Sequence, residues 1–180
     1  MHGDKPLRRL GGRTLLARAI DHALGSGLHY GLSLRSRDQI PDAPDLPIVL
    51  DRPDVAGPLA GVAAGLDWAR GEGFDAILTL PVDMPWLPDD LAPCLVAASK
   101  GNAVAASSAG RRHPVCALWP VASLWVLETY TANGGRSLHG LLDVLGAGQV
   151  DWPVANQDPF TNLNNPTELA EAEKLLQKSM

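Results

Sequence analysis

The run FDAILTLPVD, residues 74–83, constrains the fold more than any other stretch of the chain. It is continuously apolar and then ends in an acid. A strand with that pattern is buried on both faces, which is the condition of a strand inside a sheet with helices on either side. The neighbouring sequence alternates in the same way. LHYGLSLR (28–35) and PIVLD (47–51) read as strands, and GPLAGVAAGLDWARG reads as a helix opening after Gly57-Pro58, where proline's missing N–H costs nothing. PDDLAPCLVAAS reads as the next helix, with Asp89 and Asp90 in its first turn, where the dipole favours them. NAVAASS and HPVCALW read as strands around the turn AGRR. VASLWVLETYTAN is a helix stopped at Asn133-Gly134-Gly135, and SLHGLLDVLG is a second glycine-closed helix. QVDWPV and FTNLN read as short strands, and NPTELAEAEKLLQKS as a closing helix. This alternation predicts an α/β fold, a three-layer arrangement with a mostly parallel sheet.

The chain has 180 residues, enough for one domain spanning 1–180. Its 46% apolar and 19% charged composition is that of a folded protein. The two cysteines, Cys94 and Cys116, fall in different elements and form no CxxC pair, so they read as buried free thiols in a reducing compartment. The net charge is −5 and the pI about 5.4, which argues against nucleic acid as a partner while leaving room for a small phosphorylated ligand. No run is long enough to span a membrane and no signal peptide is evident, which points to the cytoplasm.

In doubly wound sheets, ligands sit beyond the carboxyl ends of the strands. That rule selects Asp83, at the tip of the 74–83 strand on a turn stiffened by Pro85 and Pro88. A carboxylate so placed suits Mg²⁺, which takes one or two carboxylates and shares its shell with phosphates. Asp51 ends a second strand and could meet a ribose hydroxyl or a base edge, or equally pair with Arg52 or Arg35 on the surface. Gly57 and Gly61 permit close backbone approach at a helix start, suiting either an anion or tight helix–sheet packing. Arg111, Arg112 and His113 form a charged turn, whose ordinary reading is solvated surface. The five histidines lack metal-ligand spacing, and the absence of Gly-x-Ser-x-Gly leaves a hydrolase triad unsupported. Asn162 and Asn164 stand two apart, on one face of a strand if FTNLN is one. Asn165 or Thr167 suffices to cap the last helix.

GDKPL, GPLAG, LPVDMPWLP, RRHPVCALW and FTNLNNPTELAEAE, in this order, resemble the molybdenum cofactor guanylyltransferase family over nearly the whole chain. The resemblance implies a Rossmann-like nucleotidyltransferase fold and an enzyme that joins GMP from GTP to the terminal phosphate of molybdenum-molybdopterin and releases pyrophosphate. It further implies Mg²⁺ as cofactor and a molybdoenzyme or its chaperone as a further partner. Lys5 of GDK would reach the GTP phosphates, and Asp83 would hold Mg²⁺ and touch the nucleotide. Asp51 and Gly61 would lie against the guanosine, with Ser33 standing where the family has an asparagine. His113, Arg136, Asn162 and Asn164 would lie on the pterin side. No side-chain nucleophile is required, because a substrate phosphate oxygen attacks the α-phosphorus.

The family opens with an apolar strand and a glycine turn, whereas here GDKPL, with Gly11-Gly12 close behind, reads like the second half of a phosphate-binding loop. The expectation is that the natural chain starts roughly 15–20 residues earlier, because the first strand is central in the order 3-2-1-4-5. The alternatives are a non-catalytic relative that binds pterin or a partner protein, a cytidylyltransferase of the same cofactor, and a sugar-phosphate nucleotidyltransferase.

Overall fold

The computed structural model describes residues 5–40, 43, 45–155 and 157–178; Gly3 and Asp4 of the GDKPL motif lie outside them. After a single turn of 3-10 helix at Lys5–Leu7 comes a small hairpin, β1 (Arg9–Leu10) and β2 (Arg13–Thr14). Gly11 and Gly12 form its two-residue turn with φ of +58° and +77°, the primed geometry that favours glycine at both positions. The Gly11 N–H donates to Glu173 Oε1 at 2.7 Å. The Gly-Gly pair is therefore a hairpin turn tied to the last helix, which corrects its reading as part of a phosphate loop.

Helix α1 (Leu15–Gly25), to which the sequence pattern assigns nothing, starts at Thr14, whose hydroxyl accepts from the Ala17 N–H at 3.1 Å. Its Leu16 packs on Leu32, Leu34 and Ile40. β3 (Leu32–Leu34) and β4 (Ile48–Leu50) pair in parallel, with Ser33 opposite Val49. Pro58 stands directly ahead of α2 (Leu59–Glu72), which Gly73 closes at φ +78°.

The larger sheet has the order β5-β7-β6-β8, from β5 (Ala76–Thr79), β6 (Val104–Ser108), β7 (Arg111–Pro120) and β8 (Gly148–Trp152). β5 and β6 each pair antiparallel with β7, and β6 pairs in parallel with β8. Three strands thus share one direction and β7 alone is reversed, so the sheet is mixed. The two arginines of the AGRR turn belong to β7, leaving Ala109-Gly110 as the turn. The alternate residues Ala105, Ala117 and Trp119 pack against α2, α4 (Ser123–Ala132) and α5 (Leu138–Val144). Val104, Ala106, Cys116 and Leu118 face the other way, toward Leu91 and Leu95 of α3 (Leu91–Ser99). These are the three expected layers.

Three local expectations change. Asp89 and Asp90 precede α3, and Asp90 Oδ1 accepts from Trp152 Nε1 at 2.9 Å, with no cap bond to the helix backbone. Residues 160–164 form a loop, not a strand, because the N–H of Leu163 donates to the Asp83 carbonyl. Cys116 is buried but Cys94 is only half-buried. The strands joining the two halves do not meet: β3–β4 is a separate sheet, and an apolar groove of about 410 Å³ lies between Leu32-Ser33 and Ala76–Leu80. The expected order puts a strand between them, and no described strand lies there. Among the described residues no helix is long and apolar enough to cross a membrane.

Candidate active site

The starts of β3 and β5 lie together. His29 and Phe74, just ahead of them, have ring centroids 5.1 Å apart, and Trp68 of α2 meets Phe74 at 6.1 Å. Both strands therefore run toward the opposite end, where Arg35 and Ser36 after β3 face Val82 and Asp83 after β5 across an open basin of about 730 Å³. The acids at the tips of β4 and β5 share this end of the fold.

Two clusters occupy it. In the first, the Lys5 ammonium donates to Asp83 Oδ2 at 2.5 Å and to Asn164 Oδ1 at 2.6 Å. These residues come from the two ends and the middle of the chain, and each is placed by backbone. The short helical turn presents Lys5. The end of β5 and its proline turn present Asp83. Leu163 N–H to the Asp83 carbonyl, at 2.9 Å, fixes Asn164 beside it. Arg8 adds a contact to the Asn164 carbonyl at 3.3 Å. An ammonium held between a carboxylate and an amide oxygen marks a position where the protein stabilises positive charge. Among the described residues there is no group of three or more His, Cys, Asp or Glu side chains able to enclose a metal ion. One carboxylate with one amide oxygen beside an open basin suits Mg²⁺ that completes its shell with phosphate and water.

In the second cluster the Ser33 hydroxyl donates to Asp51 Oδ1 at 2.9 Å. Gly61, in the first turn of α2, lies beneath this pair. A Cβ there would stand 3.0 Å from Ser33 Oγ and 3.2 Å from Asp51 Oδ1, so glycine is what lets the helix approach. The loop after Asp51 is tied down by Arg52, which bonds to Asp54 on both oxygens, to Asp67 of α2 and to Glu128 of α4. Asp51 thus does not pair with Arg52, whose guanidinium is spent on other acids.

Other expected site residues are placed differently. Arg136 is exposed and folds back onto the carbonyls of Thr131 and Gly135, capping α4. His113 is 5% exposed, stacked on Phe160 at 4.6 Å and hydrogen-bonded to Ser108, so it is an interior residue and no part of a solvated charged turn. Asn162 lies in the loop beside Asp83, and its Oδ1 is buried without a protein partner. Arg112 pairs with Asp143. Asn165 caps the final helix α6 (Pro166–Lys178), as its accepting bond from the Glu168 N–H shows. The sequence reading missed Arg35, Ser36, Asp38 and Gln39, which line the basin with Lys5. Their RSRDQ run (35–39) carries no motif, and only their place beyond a strand's carboxyl end could have flagged them.

A lysine–acid–amide cluster and an acid–hydroxyl pair at one end of an α/β fold are the arrangement expected of a nucleotidyltransferase. Comparison with known proteins gives the same class. Residues 1–147 match the family described as MobA-like NTP transferase domain. A molybdenum cofactor guanylyltransferase of Cereibacter sphaeroides is 38% identical over 175 residues, covering 97% of this chain and 89% of the relative. One from Rhodopseudomonas palustris is 41% identical over 180 residues, covering 96% and 84%. Among solved structures, molybdopterin-guanine dinucleotide biosynthesis protein A from Archaeoglobus fulgidus superposes with a TM-score of 0.73 at 21% identity, covering 97% of this chain and 91% of that one. A 2-C-methyl-D-erythritol 4-phosphate cytidylyltransferase from Thermus thermophilus gives 0.69 at 19% identity, covering 96% and 93%. The chain belongs to the molybdenum cofactor guanylyltransferase family of MobA-like nucleotidyltransferases.

Proposed function

We propose that the protein transfers GMP from GTP to the terminal phosphate of molybdenum-molybdopterin. A phosphate oxygen of the acceptor forms the new bond to the α-phosphorus, the bond from that phosphorus to the β-phosphate bridging oxygen breaks, and pyrophosphate leaves. The observation that carries this reading is the Lys5 ammonium shared by Asp83 and Asn164 at the same end of the fold as Ser33 and Asp51. One cluster offers charge for phosphates and the other an acceptor for nucleoside donors.

Asp83 with Asn164 Oδ1 would hold Mg²⁺, which when bound neutralises charge on the phosphates. Lys5 turns from these oxygens toward the triphosphate and stabilises the charge that grows on the leaving pyrophosphate. Ser33 is too short to reach far and instead uses its hydroxyl to orient Asp51. The Asp51 carboxylate is an acceptor only, which matches the donors of a ribose or of the guanine edge. Catalysis then consists of alignment and electrostatics, with no protein nucleophile.

The test is pyrophosphate release and guanine dinucleotide formation from GTP and molybdenum-molybdopterin. Asp83→Ala should lower the rate by at least roughly a hundredfold, and Lys5→Ala by a similar factor, with far-ultraviolet circular dichroism unchanged. Full activity in Asp83→Ala would remove the reading.

A further inference from the structure

We infer that Ser108, His113 and Asp158 are positioning residues for the phosphate and metal end of the site, acting through the loop that carries Asn164. The inference rests on the proposed function.

The described residues of the loop between β8 and α6 form no helix or strand, yet the loop must hold Asn164 beside Asp83. At the near end it is held by the Leu163 N–H on the Asp83 carbonyl, the Asn164 N–H on Glu168 and Arg8 on the Asn164 carbonyl. At the far end the Asp158 carboxylate accepts from Ser108 Oγ, at 2.8 and 2.9 Å to its two oxygens, and from the Phe160 N–H at 2.9 Å. The Asp158 carbonyl closes the turn by accepting from Thr161 Oγ1 at 2.8 Å and Thr161 N at 3.1 Å. Ser108 is fully buried at the end of β6, and its Oγ lies 2.7 Å from His113 Nε2.

The proton inventory fixes the direction of this chain. A serine hydroxyl has one proton and a carboxylate only accepts. The Ser108 proton goes to Asp158, so His113 Nε2–H donates to Ser108. A serine nucleophile requires the reverse, with histidine accepting from serine, so this trio is not a hydrolase triad. It is an anchor, reinforced by Phe160, which stacks on His113 at 18° and meets Trp152 edge-on at 5.6 Å. Six residues after Asp158 the amide oxygen of Asn164 shares the Lys5 ammonium with Asp83. Loss of the anchor frees Asn164 to move relative to Asp83 while leaving Ser33 and Asp51, on the other sheet, in place.

The experiment compares Ser108→Ala, His113→Phe and His113→Gln in the full chain, assayed with GTP at varied Mg²⁺ well below each variant's melting temperature. Ser108→Ala removes one oxygen, and His113→Phe keeps the flat ring on Phe160 without the donor. Both should lower the transfer rate and raise the half-saturating Mg²⁺ concentration by roughly tenfold, the usual size of a supporting-contact effect. The preference for GTP over CTP should not change, and His113→Gln, which restores a donor, should recover part of the loss. Wild-type Mg²⁺ dependence in Ser108→Ala and His113→Phe would overturn the inference, as would an equal loss in His113→Gln. Asp83→Ala, assayed beside them, separates the two claims. If it is inactive while the anchor variants behave as wild type, only the anchor fails. If it is fully active, the functional reading itself fails.

Discussion

Gly61 shows how one residue can be legible in sequence for two reasons at once. Tight packing and ligand approach both call for glycine at a helix start, and the structure shows that the tight contact is with Ser33 and Asp51, the pair that the proposed function sets against the nucleoside. Gly61→Ala should therefore push Ser33 and Asp51 apart and weaken GTP binding roughly tenfold, about the worth of one hydrogen bond; isothermal titration reads this directly. Asp83 was legible because a lone acid at the end of an apolar run has few structural uses. His113 was not, because a histidine beside two arginines looks like surface until Phe160 is seen to cover it. Ala109, in the β6–β7 turn, has φ +47°, a conformation that disfavours a Cβ. Ala109→Asn should raise stability by about 0.5–1 kcal/mol in chemical denaturation, since asparagine tolerates this region better.

At the scale of elements, the sequence located the helices from α2 onward well and misread the loop at 160–164. Alternating Asn162 and Asn164 imitate a strand, but the strand's backbone partners are absent and the N–H groups go to Asp83 and Glu168. α1 escaped notice because its start signal, Thr14, sits directly after the Gly-Gly turn. The pattern left the α6 cap open between Asn165 and Thr167; it is Asn165, and it is reciprocal. Asn165 Oδ1 accepts from the Glu168 N–H, and Glu168 accepts from the N–H groups of Asn164 and Asn165. Asn165→Ala should cost about 1 kcal/mol of stability. Because Glu168 also holds the Asn164 backbone, the same change should raise the half-saturating Mg²⁺, which a cap acting on stability alone would not do.

Across the whole molecule the layers were predictable from strand and helix alternation, and the gap between β3–β4 and the larger sheet follows from the expected order, in which a first strand lies between the 28–35 and 74–83 strands. Interior titration gives a molecule-wide readout. Burial holds the His113 imidazole below its ordinary value of 6.5, against the opposing pull of Asp158, while Arg111 and His139 add to the lowering. Burial lowers His22 in the same way. A group whose value is lowered by folding binds its proton first in the unfolded chain, so stability falls as pH drops below about 6.5 and levels once the folded value is passed. Thermal melts from pH 8 to 5 should show this decline, and His113→Phe should flatten part of it, leaving the share due to His22.

In the proposed function, phosphates meet Lys5 and Asp83 while the nucleoside meets Asp51 at the same end of the fold. A crystal structure of the full chain with GTP and Mn²⁺ is the sharpest test. An anomalous peak on Asp83 and Asn164, the triphosphate within reach of Lys5 and the guanosine against Asp51 are expected. Manganese bound elsewhere, or a nucleoside seated at Lys5, would contradict it.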